Sequence, residues 1–103
     1  MVTITRLHET KRYDLLINNE RVATCYAKIP QIPDKEVEIY KLFVPIAARR
    51  KGYGKGIINY LKYLFPERGI KLYPNKQGGQ QLVDWYLKQG FAPKGKALVW
   101  YGI

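Results

Sequence analysis

The segment that most constrains this chain is Val44-Pro45-Ile46-Ala47-Ala48-Arg49-Arg50-Lys51-Gly52-Tyr53-Gly54-Lys55-Gly56. Before it, Glu36-Val37-Glu38-Ile39-Tyr40-Lys41-Leu42-Phe43-Val44 alternates acidic and apolar residues and then turns apolar, as a strand does on entering a core. After it, Ile57, Ile58, Leu61, Leu64 and Phe65 recur at helical spacing, with Lys55, Asn59 and Lys62 opposite. The backbone must therefore pass from strand to helix within a few residues. Glycines at alternate positions are a poor opening for a helix, each costing about 1 kcal/mol relative to alanine. What they permit is close approach of backbone N–H groups to a ligand, and unpaired donors at the positive end of a helix make an anion site. Arg49, Arg50, Lys51 and Lys55 add positive charge around it. Taken alone, the segment also fits a flexible basic turn.

Two familiar phosphate loops do not fit. A Walker A loop follows its lysine with Ser or Thr, whereas Lys55 is followed by Gly56. A dinucleotide fingerprint spaces its glycines G-x-G-x-x-G, and Gly52, Gly54 and Gly56 do not.

The flanking sequence predicts strands over 2–7, 13–17, 21–29 and 36–44, with His8 to Tyr13 as a connector and Asn18-Asn19-Glu20 as a hairpin turn. After the first helix come a short strand, Ile70 to Tyr73, and a loop from Pro74 to Gly79. A second helix follows over about 80–89, with Leu82, Val83, Tyr86 and Leu87 inward and Gly90 as its left-handed cap. A last strand region holds Ala97 to Tyr101. The order β-β-β-β-α-β-α-β in 103 residues predicts one α+β domain spanning 1–103, with a mixed sheet and two main helices.

Composition excludes whole classes of chemistry. There is no serine, so a serine nucleophile is out, and with one cysteine and one histidine there is neither an internal disulfide nor a Cys/His metal cluster. Cys25, within Val22 to Ala27, reads as a buried structural thiol. No apolar run approaches the roughly 20 residues that span a bilayer, and residues 1–6 lack a signal-peptide centre, so no membrane association and a cytoplasmic location are expected. The net charge of +10 is lopsided. Residues 1–38 balance six bases against six acids, whereas 39–103 carry twelve bases with only Glu67 and Asp84.

Arg49-x-x-Gly52-x-Gly54 resembles the (Gln/Arg)-x-x-Gly-x-(Gly/Ala) signature of the GNAT N-acetyltransferases. Trp85-Tyr86-Leu87-Lys88-Gln89-Gly90-Phe91 resembles the same superfamily's later (Leu/Phe)-Tyr-x-Lys-x-Gly-Phe element, in the right order and at a suitable distance. Together they cover roughly residues 36–101. The resemblance implies a splayed mixed sheet holding acetyl-CoA, with the pantetheine arm on the strand matching Leu42, Phe43 and Val44. The pyrophosphate would sit on the turn matching Arg49, Arg50 and the amides from Lys51 through Gly52, Tyr53, Gly54 and Lys55 to Gly56. Asn75 and Lys88 match further cofactor-binding positions. The chain departs from the pattern at Arg50 and Gly56, where Gly and Ala are common, and in the six residues from His8 to Tyr13, too few for the pair of helices that usually wall the acceptor site.

The resemblance also implies roles. Tyr86 is the candidate general acid, since a phenol of pKa about 10 stays protonated at neutral pH and can protonate a departing thiolate. Its alternative is core packing beside Leu82. Glu38 is the candidate base or else a solvated edge-strand carboxylate, and alternation puts Glu36, Glu38, Tyr40 and Leu42 on one face. The expected activity is transfer of acetyl to an amine on a macromolecule, a protein lysine or N-terminus, with an acidic protein or nucleic acid favoured by the charge. A nucleic-acid-binding module, or a GNAT-like enzyme that modifies nucleobases, is the alternative.

Overall fold

The computed structural model describes residues 8–32, 35–45 and 48–102. Strand β1 (His8–Ile17) folds back onto β2 (Glu20–Pro30) through Asn18 and Asn19, whose positive φ angles of 51° and 65° suit a tight hairpin turn. Strand β3 (Val37–Phe43) pairs antiparallel with β2 and parallel with β4 (Ile70–Leu72). Strand β6 (Ala97–Trp100) lies antiparallel between β4 and β5 (Ala92–Lys94). The sheet order is β1-β2-β3-β4-β6-β5. Helix α1 (Tyr53–Leu64) joins β3 to β4, and α2 (Gly79–Lys88) joins β4 to β5. Both crossovers step the same way between parallel strands, so their right-handedness puts both helices on one face. There Ile57, Ile58 and Leu61 of α1 pack on Ala23, Cys25 and Ile39, and Tyr86 and Phe91 complete the core.

Two irregularities shape the open end of the sheet. Parallel pairing of β3 with β4 covers only Val37 to Ile39 against Ile70 to Leu72, so β3 runs on to Phe43 without a partner on that side. Tyr26 pairs with Lys41 but Ala27 pairs with Ile39, which leaves Tyr40 as a bulged extra residue. One extra residue inverts the alternation beyond it. Leu42, opposite Cys25, therefore joins Ile39 on the helix face, while Lys41, opposite Tyr26, points the other way.

These observations correct several expectations. Residues 8 to 13 are not a connector but the first half of β1, and the expected strand over 2–7 lies outside the described residues. Pairing of the backbone from His8 to Arg12 with Pro30 to Tyr26 overrides a polar sequence that reads as a loop, and charged side chains suit a strand at the border of the described sheet. The last strand region is two strands, reversed at Gly95 with φ 61°. Leu87, expected inward, is 38% exposed, and Trp85 packs against the core instead.

Candidate functional site

Gly52 is the N-cap of α1, held at φ 80° with no side-chain cap and no acidic residue in the first turn. A left-handed cap of this kind suits glycine. The first intrahelical hydrogen bond is donated by the Gly56 N–H to the Gly52 carbonyl at 3.0 Å, so the N–H groups of Tyr53, Gly54 and Lys55 have no helical partner. Arg49 Nε donates to the Val44 carbonyl at 2.9 Å and ties the turn to the end of β3. The helix start opens onto a cleft of about 380 Å³ lined by Arg49, Arg50 and Lys55 together with Leu42, Val44 and Trp85. A Cβ at Gly54 would make ordinary van der Waals contact with the Trp85 ring at 3.5 Å and with Val44 at 3.6 Å, so the helix start packs closely against the apolar lining of the cleft. Cations, free amides and an apolar wall thus share one cleft.

A second cavity of about 180 Å³ occupies the wedge where β3 and β4 part, lined by Tyr40, Lys41, Leu42, Tyr73 and Asn75 among others. Leu82 and Tyr86 line both cavities, so Tyr86 stands where they meet. The end of α2 locks it there. Gly90, at φ 94°, lets its own N–H reach the Leu87 carbonyl at 3.0 Å and lets the Phe91 N–H reach the Tyr86 carbonyl at 3.2 Å. The Phe91 ring meets the Tyr86 ring edge-on at 5.6 Å, and Trp85 meets it at 4.9 Å. Burial, with a smaller contribution from Cys25, pushes the Tyr86 phenol up to about 12. Cys25 is fully buried and its thiol is likewise pushed up to about 12, as an inert core cysteine should be.

The other residues picked from sequence divide. Leu42, Val44, Arg49, Arg50, Gly52, Tyr53, Gly54 and Lys55 all line the larger cleft. Lys51 turns instead towards Asn18, Glu20 and Pro45, beside the hairpin turn. The Gly56 N–H is spent inside the helix, and a side chain there would point to Leu15, 3.8 Å away. Phe43 lies opposite Thr24 on the far face of the sheet, and Lys88 is exposed at the end of α2 and lines neither cavity. Asn75 borders the smaller cavity, and its Oδ1 already accepts the Gln77 N–H at 2.9 Å.

Glu38 does not reach either cavity. It pairs across the sheet with Lys28 and Lys71, its carboxylate lies 3.9 Å from Lys71 Nζ, and the Tyr40 bulge separates its face from that of Leu42. Sequence reasoning missed Trp85 as a wall of the cleft and Tyr73 as a wall of the wedge. The i, i+3, i+4 spacing of Leu82, Trp85 and Tyr86 carried the signal for the first. Nothing local marked the second.

Residues 4–91 match the family model described as Acetyltransferase (GNAT) family. No curated protein matches the chain. Among solved structures, the fold is similar to the PaiA N-acetyltransferase of Thermoplasma acidophilum in complex with coenzyme A, at TM-score 0.68 and 16% identity over 87% of this chain and 58% of that one. It is similar to Tetrahymena GCN5 at TM-score 0.72 and 18% identity, covering 96% of this chain and 71% of the other. The anti-CRISPR protein AcrVA5 matches at TM-score 0.68 and 20% identity over 88% of this chain and 97% of its own length. The chain thus spans little more than half of the first of these proteins and nearly all of the last. At these identities the likeness is one of fold.

Proposed function

Because the chain belongs to the GNAT acetyltransferase family, we propose that it transfers the acetyl group of acetyl-CoA to an amine carried on an acidic macromolecule, a protein lysine in the first place, with Tyr86 as general acid. The observation that carries this reading is the uncapped start of α1 facing a cleft that continues to Tyr86. The donor set suits the cofactor. The amides of Tyr53, Gly54 and Lys55 with Arg49 and Arg50 suit a pyrophosphate. Leu42, Val44, Leu82 and Trp85 suit an alkyl arm, and the unpaired edge of β3 beyond Ile39 offers backbone groups to the amides of that arm.

Bound acetyl-CoA would supply an activated thioester, whose carbon–sulfur bond breaks as the amine nitrogen bonds to the carbonyl carbon and whose electron pair leaves on sulfur. The Tyr86 hydroxyl keeps its proton throughout the physiological range and can give it, or a hydrogen bond, to that sulfur. The amine must arrive neutral. Among the described residues no carboxylate or imidazole lines either cavity, so its proton leaves to solvent.

The same lining speaks to the acceptor. A small polyamine would meet Arg49, Arg50 and Lys55 and no counter-charge, whereas an acidic protein is drawn to that field and brings its lysine with it. The cationic surroundings also favour the neutral form of the amine. The test is labelled acetyl-CoA with acidic protein, RNA, DNA, polyamines and aminoglycosides in parallel. Saturable labelling of protein lysines that weakens with salt is expected. Tight, salt-insensitive acetylation of a small amine alone would overturn the acceptor assignment, and labelled RNA would move it to the nucleobase.

A further inference from the structure

The face of the sheet turned away from α1 and α2 carries a second set of convergent groups. Alternation in β1 and β2, with the bulge in β3, brings Arg12, Tyr26, Lys28, Tyr40, Lys41 and Phe43 to it. The Tyr26 and Tyr40 rings lie 5.8 Å apart. Arg12 and Lys41 each sit 5.8 Å from the Tyr26 centroid, and Lys28 sits 5.3 Å from that of Tyr40. Tyr40 and Phe43 are 45% and 47% exposed. Beside Phe43 a notch of about 230 Å³ is lined by Arg21, Thr24, Tyr26, Lys41 and Phe43.

The acids of this face are already engaged. Asp14 accepts from Arg12 Nε at 3.1 Å and from the Thr24 hydroxyl at 2.8 Å, and Glu38 pairs with Lys71. Among the described residues, Arg21, Lys28 and Lys41 form no salt bridge with a carboxylate.

We propose that this face binds single-stranded nucleic acid. Cations beside exposed rings fit a ligand that presents phosphates and unstacked bases together. An acidic protein would use the cations and leave Tyr40 and Phe43 without a role. A duplex would keep its bases stacked inside, out of reach of both rings. The face is continuous with the acetyl-transfer site, since Tyr40 and Lys41 also border the wedge at Tyr86, so a bound strand would run past its mouth. The inference goes beyond the acetyl-transfer reading and does not rest on it.

The experiment is fluorescence anisotropy, without acetyl-CoA, on short labelled single-stranded RNA and DNA, a duplex of the same sequence and polyglutamate. Single strands should bind in preference to both other ligands, with an affinity that falls with salt. Tyr40→Ala and Phe43→Ala should each weaken binding roughly tenfold, the usual worth of one base stacked on one ring. Lys94→Glu with Lys96→Glu, which changes charge at the β5–β6 turn, should leave affinity nearly unchanged. Thermal melts confirm that the variants fold, and if Tyr40→Ala does not, the exposed Phe43 decides alone. Absent binding, equal binding of polyglutamate, or aromatic variants with unaltered affinity would overturn the proposal while leaving acetyl transfer untouched.

Discussion

Tyr86 is at once a core residue and, among the described residues, the one titratable group that lines both cavities, and its burial governs how it can act. Tyr86→Phe keeps the ring in its contacts with Trp85 and Phe91 and removes one oxygen. Turnover should fall roughly 10²-fold with acetyl-CoA affinity unchanged, the pattern of a group that acts on the leaving sulfur and not on binding. The pH profile should rise as the acceptor amine deprotonates, towards about 10.4 for lysine. With Tyr86 protonated up to about 12, no falling limb should appear before that point. A bell with its descending limb near neutrality would contradict the assignment. Stability has its own pH dependence. The Cys25 thiol and Tyr86 phenol are both pushed up to about 12, from ordinary values of 9.0 and 10.0. The unfolded chain therefore sheds these protons first, so their stabilisation is complete below about pH 9 and is lost as pH rises towards 12. Urea unfolding across that window should show the decline, and Cys25→Ala should make it shallower. At this scale the buried thiol was legible from its apolar neighbours, and Tyr86 from its place in a helical pattern. The face shared by Glu38 and Leu42 was misread, because alternation was extended through a bulge that no local residue announces.

At the scale of elements, the start of α1 and the end of α2 are complementary devices. One leaves donors unpaired and the other satisfies its carbonyls. Lys55, three residues after the Gly52 cap, tests the first. A glutamate there would reach the free amides and suit the positive helix end, so Lys55→Glu should stabilise the ligand-free protein by about 0.3–1 kcal/mol. The same carboxylate would repel phosphates, so the rise in melting temperature on adding coenzyme A should shrink or vanish. Opposite signs for stability and binding are the expected outcome. Equal loss of both would mean that the helix start is structural only. Both helices, the Gly90 turn that ends the second and the glycine-rich turn could be read from spacing and φ-permissive residues, because those signals are local. The division of labour within the turn could not. Gly56 and Lys51 have the same composition as their neighbours, yet one amide is consumed by the helix and the other side chain faces the hairpin.

Across the whole molecule, one side chain fastens the end of the sheet remote from the cleft. Arg68, between α1 and β4, donates from Nε to the Lys35 carbonyl at 3.1 Å and from its terminal nitrogen to those of Pro30 and Ile32 at 2.5 and 3.1 Å. Arg68→Ala should cost roughly 2 kcal/mol of stability, the usual worth of charged hydrogen bonds lost with their carbonyls left behind. The coenzyme A response should persist, since the site lies at the opposite ends of β3 and α1. Chemical denaturation beside a thermal-shift titration would separate the two. Composition and spacing by themselves determined the fold class, the helices, the glycine-rich basic turn between strand and helix, and the absence of serine, disulfide and histidine-cluster chemistry, since each rests on residue identity or on neighbours within a few positions. Only the tertiary structure decided which face each strand residue occupies, where β3 parts from β4, and how bases from a neutral N-terminal third join Lys41 on one surface. Those outcomes depend on register, on one bulged residue and on pairings between distant segments, and a strand's register is set by its partner.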